Sequence, residues 1–363
     1  MKKILLVTLQ GANIGNRLQN YALQTILENL GFNVSTPIYR LKSKYIDKVK
    51  ALIKKVLIFC GMKKYKIVLL QEKREKKYET FSDKYIHDKI NVTFNNVYSM
   101  DWTEYDYAIT GSDQVWHNWS NTEEELRYFY LMFMPKEKRI SYAPSFGFSE
   151  FPQNDSNIHK QGLEEMQLLS CREEDGKKLI LDLTGREAEL IIDPTLLLTA
   201  KDWIKIEKKP VYPVEGQYML IYFLGNETTE YVNVYSKIAK EHNLKIINIY
   251  NPDIEEYYYT KPDEFLWLIH HAKFICTDSF HACVFSLIFH KKFMVFKRCE
   301  TGMEKMFGRI ETLLSMVGLT ELIYNGKPVE YSMKIDYMKV EELIKEKSEI
   351  AMKYLRKIVK VEE

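Results

Sequence analysis

Residues 2–39 constrain the fold more than any other part of the chain. An apolar run, KILLVTL, gives way to a glycine-containing loop, then to helical spacing from about Ile14 to Leu30, with Gly31 as the stop and NVSTPIY as a second strand-like run. A short, continuously apolar strand is one buried on both faces, as in a parallel sheet, and the helix supplies the crossover to the next strand. The opening is a βαβ unit. The alternation continues through YDYAIT, RISYAP and AELIID, separated by helical stretches. After the polar KIEKKPVYPVEGQ it restarts with YMLIYFLG, a helix near 229–242, KIINIY, a helix near 263–272, KFICTD, a helix near 280–290 and KFMVF.

At 363 residues the chain is long for one domain. The pattern predicts an α/β protein of two Rossmann-like domains facing a cleft, over 1–205 and 206–335, with a helix over 336–363 packing back on the first domain. In open parallel sheets ligands bind beyond the carboxyl ends of the strands, so the loops there are where functional residues belong.

An insertion over 41–90 interrupts the first domain. Its first part, 41–66, carries nine lysines and one aspartate, with Ile46, Val49, Ile53, Val56 and Leu57 at helical spacing. Such a helix either packs on the domain with a solvated basic face or rests on anionic lipid. Elsewhere charge is balanced, 52 Lys plus Arg against 50 Asp plus Glu, which gives no nucleic-acid footprint. Five scattered cysteines without a C-x-x-C pair fit a reduced, cytoplasmic protein. The N-terminal apolar run is too short for a secretory signal, and no stretch approaches a membrane span. The expectation is a cytoplasmic protein with peripheral contact at the inner-membrane face.

Four stretches carry candidate chemistry. In GANIGNRLQNYALQ, backbone N–H groups at the start of the first helix can receive an anion, and Asn16, Arg17, Asn20 and Gln24 extend polarity along that helix. In YDYAITGSDQVWHNW, the strand end presents Asp113 and Gln114 beside Trp116 and Trp119, which suits a sugar, although Asp113 can equally cap a turn. In LLSCREEDG, Arg172 precedes an acidic first helical turn and either grips a carboxylate or phosphate or pairs with its own neighbours. Asp193, in IIDPTLLL, reads as a turn cap.

The densest of the four is ICTDSFHACVF, in which a buried strand runs into Asp278, Ser279 and His281. Asp278 or Ser279 caps the following helix, and His281 falls in its first turn, where the helix dipole disfavours the imidazolium. An anionic ligand would restore that charge and poise His281 for proton transfer; a plain polar contact at the helix start is the alternative. Three neighbours at one helix start cannot form a Ser-His-Asp triad. APSFG lacks a following helix to make a nucleophile elbow, and His270 with His271 lacks metal-ligand spacing, so no metal or cofactor is expected.

GNRLQNYALQ, GSDQVW, RISYAPSFG, SCREEDG, IIDPTLLL and TDSFHACVFSLIF, in this order, resemble the polysaccharide pyruvyl transferase family. The resemblance implies a fold similar to the GT-B glycosyltransferases and transfer of pyruvate from phosphoenolpyruvate to two hydroxyls of a cell-surface polysaccharide or its lipid-linked precursor, forming a ketal. It also implies His281 as general acid, Arg172 as anion-binding arginine and Asp113 as the acidic residue of the cleft. Many members have Arg two positions before this His; here Ser279 stands there, so Lys297, Arg298 or Arg309 would have to supply the cation. Two other functions share the expected architecture: a glycosyltransferase using a nucleotide sugar, and a noncatalytic saccharide-binding protein.

Overall fold

The computed structural model describes residues 1–11, 13–39, 63–93, 96–152, 154–300 and 304–360. The amphipathic stripe from Ile46 to Leu57 lies outside the described residues.

The first domain is a parallel sheet of β1 (Lys3–Val7), β2 (Asn33–Tyr39), β3 (Lys89–Val92), β4 (Tyr107–Thr110) and β5 (Arg139–Ser141), in the order β3-β2-β1-β4-β5. Its helices are α1 (Ile14–Asn29), α2 (Lys63–Tyr85), α3 (Glu123–Phe129), α4 (Ser156–Glu164) and α5 (Glu174–Thr184). A short pair, β6 (Ser170–Cys171) and β7 (Glu189–Leu190), continues beyond β5 through a backbone bond from Ser141 N–H to Leu168 O. The second domain is a parallel sheet of β8 (Tyr218–Tyr222), β9 (Lys245–Asn248), β10 (Phe274–Thr277) and β11 (Phe293–Val295), in the order β11-β10-β8-β9. A short helix α6 (Ala200–Ile204) leads into it; α7 (Thr229–Glu241), α8 (Glu255–Tyr258), α9 (Pro262–His271), α10 (Phe280–Ile288) and α11 (Gly308–Met316) accompany it, and α12 (Tyr337–Lys360) closes the chain.

These elements follow from the sequence by simple physics. Ile4, Leu5, Leu6 and Val7 have no exposed surface, and the same holds for Met219, Leu220 and Ile221 in β8, so both central strands are sandwiched between helical layers. Each such side chain stabilises the fold by about 1.5–3 kcal/mol. Helix α1 starts where Asn13 accepts a hydrogen bond from Gly15 N–H, and the chain turns at Gly31, whose φ of +89° suits glycine. The AELIID run yields only two strand residues, because just Glu189 and Leu190 have a paired neighbour in β6.

In each sheet the strand order reverses once, between β1 and β4 and between β8 and β10. Crevices at such reversals hold the ligands of open α/β sheets. Here the two crevices meet: Tyr222 Oη, at the end of β8, donates to Asn13 Oδ1, the cap of α1, at 3.4 Å. Helix α12 returns to the first domain, with Tyr354 Oη donating to Ser141 O at 2.7 Å and Lys357 pairing with Glu189. No helix among the described residues is long and apolar enough to cross a membrane.

Trp203, in α6, joins the two halves of the core. Its ring packs 5.7 Å from Tyr21 of α1 and 4.9 Å from Phe285 of α10, and its indole N–H donates to Thr195 O at 3.2 Å. Trp203→Ala should cost about 3–5 kcal/mol. Urea unfolding measures this, and a loss below about 1 kcal/mol would show that the two halves do not share that core.

Candidate active site

The site assembles at the junction of the two crevices, from loops after β1, β4, β6, β7 and β10. Asp113 follows β4 with φ +70°, held there by backbone bonds from Val115 and Ser145 N–H to its carbonyl. Its Oδ1 faces Arg172 Nη2 at 3.2 Å and Arg309 Nη1 at 3.4 Å, and its Oδ2 accepts from Asn16 Nδ2 at 2.6 Å. Arg172, following β6, donates through Nη1 to Asp193 Oδ2 at 2.7 Å, and its guanidinium stacks over Phe280 at 4.4 Å. Asp193, following β7, also accepts from Ser112 Oγ at 3.0 Å and from Thr195 N–H and Oγ at 3.0 and 2.6 Å. His281 Nε2 lies 3.7 Å from Asp193 Oδ2 and, although buried, has no hydrogen-bond partner among the described residues.

The electrostatics follow from burial and these pairings. Burial alone would raise the Asp113 pKa, but Arg172, His281 and Arg309 outweigh it and hold the carboxyl at about 2. Asp193 is likewise held low against its burial by His281 and Arg172. Burial pushes Arg309 down to about 10, helped by the neighbouring Arg172. The His281 pKa lies below the ordinary value, chiefly through burial; Asp193 and Asp113 counter this in part, so the free protein keeps a neutral imidazole. The surroundings suit a buried proton donor that becomes cationic only when more negative charge arrives.

The residues singled out from the sequence divide sharply. His281, Asp113, Asn16, Arg172 and Arg309 come together. Arg172 pairs with distant Asp113 and Asp193, while the Glu173 Oε2 of its own acidic neighbour is 3.9 Å away. Asp278 instead braces the second domain, accepting Leu224 and Gly225 N–H at 2.7 and 2.8 Å and Arg298 Nε at 3.1 Å. Ser279 caps α10 through Ala282 N–H. Lys297 leaves the cluster to pair with Glu311 at 3.2 Å.

Four expected ligand contacts make no contact with that cluster. Trp116 has no exposed surface and stacks on Tyr130 at 5.2 Å, so it belongs to the core, whereas Trp119 is half exposed. Gln114 is buried, with its amide packed against Gly147. Arg17 donates to Gln10 and lies in the field of Glu79 and Glu75 on α2, away from the cleft. Asn20 is buried with neither amide atom hydrogen-bonded among the described residues.

Sequence reading set Asp193 aside as a cap. It does cap the turn at Pro194–Leu197, and the same carboxylate also grips Arg172 and faces His281. Gln19 went unnoticed: it accepts Ser112 N–H at 3.1 Å and donates to Thr8 Oγ at 2.7 Å, fixing the β4 loop on β1. Nothing local in the sequence marks either role. Among the described residues, Glu207, His270 and His271 bring possible metal-ligand atoms within 4.8 Å of one another. They sit at the opposite end of the second sheet, where His270 Nδ1 is 2.9 Å from Glu207 Oε2.

A family model described as polysaccharide pyruvyl transferase matches residues 13–300, and the chain belongs to that family. No curated protein matches it by sequence. Among solved structures, UDP-GlcNAc 2-epimerase from Methanocaldococcus jannaschii is 14% identical, with a TM-score of 0.50 over 95% of this chain and 92% of that one. S. aureus MnaA, in a co-structure with UDP, is 10% identical, with a TM-score of 0.48 over 95% and 87%. At these identities the likeness concerns the fold, that of GT-B glycosyltransferases and epimerases.

Two predictions follow from the geometry. A Cβ on Gly15 would lie 2.0 Å from His281 Nδ1, so Gly15→Ala should displace the imidazole while α1 persists; unchanged His281 ring resonances in NMR spectra would contradict this. Asp113 has its pKa lowered to about 2, so its ionisation adds stability above about pH 4 that is lost as pH falls toward 2. The destabilisation by Asp113→Asn should therefore shrink by about 1–2 kcal/mol between pH 6 and pH 3 in urea titrations; a constant difference would contradict the ion-cluster account.

Proposed function

We propose that this member of the polysaccharide pyruvyl transferase family transfers pyruvate from phosphoenolpyruvate to two hydroxyls of a saccharide, with His281 as the general acid. The observation that carries the reading is the environment of His281: a buried imidazole with an unpartnered Nε2, beside Asp193 and within the field of Arg172 and Arg309. Such a group is neutral in the free protein and gains a proton when a polyanionic donor binds. Protonation and donor binding are then linked.

The reaction starts with a proton from His281 to the methylene carbon of phosphoenolpyruvate, which places positive charge at C2. One acceptor hydroxyl adds to C2 and loses its proton to the imidazole. The C2–O bond to phosphate then breaks, the second hydroxyl adds to C2, and its proton leaves with phosphate. The two hydroxyl protons thus balance one C–H bond of the new methyl group and one proton on phosphate.

Arg172 holds Asp113 and Asp193 with its two Nη atoms, so charge neutralisation of the donor falls to Arg309, whose carboxylate contact is the 3.4 Å approach to Asp113, and to Arg298 beside it, which pairs with Asp278 through Nε. Both stand near Ser279, which occupies the position where many relatives have arginine. The reading gives this task to arginines and assigns none to a metal ion. Lipid-linked acceptors and work at the cytoplasmic membrane face are part of the same proposal.

In an assay with phosphoenolpyruvate and a saccharide panel, phosphate release should accompany a new ketal methyl signal in the proton NMR spectrum. His281→Gln should slow this by about 10²–10⁴ and abolish the proton uptake that accompanies donor binding at pH 7. Turnover by His281→Gln at the wild-type rate would remove His281 from the mechanism.

A further inference from the structure

Arg309 lines three spaces at once. Two are crevices of about 10 Å³ each, where Ser145, Gly147, Asp278 and Arg298 lie. The third is a cavity of about 550 Å³ between α5, α11 and α12. Arg309 is therefore shared by the crevice that holds Arg298 and a much larger space.

The inner end of that cavity is formed by Arg172, Asp193, Phe280 and Arg309, so it reaches the reacting cluster. Its walls are apolar, including Leu196, Leu313, Met316, Leu343 and Ile350. At its mouth stand four exposed carboxylates, Glu174, Asp175, Glu311 and Glu346, against the half-buried Lys347 and against Lys297, which pairs with Glu311. The wall includes Asp193, beside His281, whose carboxylate is itself fully buried and already paired; Asp113 is not part of the wall.

Three ligand classes can be weighed against this lining. A phosphorylated or carboxylated ligand would pass a mouth with a surplus of negative charge and then lie against hydrocarbon, losing water without compensation. A wholly apolar ligand would leave the exposed carboxylates at the mouth unmatched. A pyranoside meets both demands: its C–H face covers aliphatic walls, and its hydroxyls donate to the carboxylates at the mouth. The volume falls in the ordinary range for small-molecule sites, about 300–1,000 Å³.

We infer that this cavity is the acceptor site and that the acceptor residue entering it is an uncharged glycoside, with uronates discriminated against by the acidic mouth. The inference rests on the pyruvyl-transfer reading. It places Arg309 at the boundary shared by donor and acceptor.

The test is saturation-transfer NMR of the full chain with p-nitrophenyl β-galactoside, β-glucoside and β-N-acetylglucosaminide, alongside the β-glucuronide. At least one neutral glycoside should bind, about tenfold or more tighter than the glucuronide. Met316→Trp and Ile350→Trp, two positions that are not fully buried, should each abolish that binding by filling the cavity, and Glu346→Lys should narrow the discrimination. Absence of neutral-glycoside binding, equal binding of the glucuronide, or wild-type binding by both tryptophan variants would overturn the proposal. Phosphoenolpyruvate calorimetry on the same proteins separates the two readings. Donor binding with no glycoside effect sinks the acceptor site alone, and loss of donor binding in wild type sinks pyruvyl transfer.

Discussion

The buried guanidinium of Arg172 organises this molecule. It lies between Asp113 and Asp193, at 3.2 and 2.7 Å, and so ties the loop after β4 to the segment after β7. Its stacking on Phe280 brings in the helix that carries His281. Removing one member of such a buried group strands charge in a medium that solvates it poorly, which typically costs about 3–5 kcal/mol. The same ions that hold the crevice together set the protonation states within it, so architecture and chemistry rest on one network.

On the proposed function, that network leaves Arg172 out of contact with the donor. With both carboxylate partners satisfied, Arg172 acts as a frame. Both arginines keep a buried Nε without a hydrogen-bond partner among the described residues, but Arg309 makes only a 3.4 Å contact with Asp113, so it is the less committed cation. Ser279 caps α10, and on the proposed function the cationic charge comes from Arg309 on α11 and Arg298 in the loop before it. The site is compact and mostly buried, which favours strong electrostatics once water is excluded.

Much of the fold was legible because its signals are local. The apolar runs at 3–7, 218–222 and 274–277 are strands whose burial on both faces follows from their composition, and the helices at 229–241 and 262–271 fall within a residue or so of the sequence reading. His281, Asp113 and Arg172 were legible as loop residues at strand ends. The misses arose where one residue type serves two purposes. Trp116 and Gln114 sit in the polar loop that carries Asp113, yet fold inward onto Tyr130 and Gly147. Asp193 caps a turn with one oxygen and binds Arg172 with the other, and only tertiary structure reveals the second role. The polar stripe on α1 divides likewise: Asn16 reaches Asp113, Gln24 accepts from His87 N–H, and Arg17 faces α2.

The central claim is that the arginines beside His281 receive phosphoenolpyruvate. Calorimetric titration of the purified protein with phosphoenolpyruvate, in parallel with a uridine diphosphate sugar, addresses it directly, with Arg309→Gln as the variant. The account predicts saturable phosphoenolpyruvate binding, proton uptake on binding at pH 7 as His281 becomes charged, and loss of both in Arg309→Gln. Binding of the nucleotide sugar with no response to phosphoenolpyruvate would contradict it and assign the cleft to glycosyl transfer.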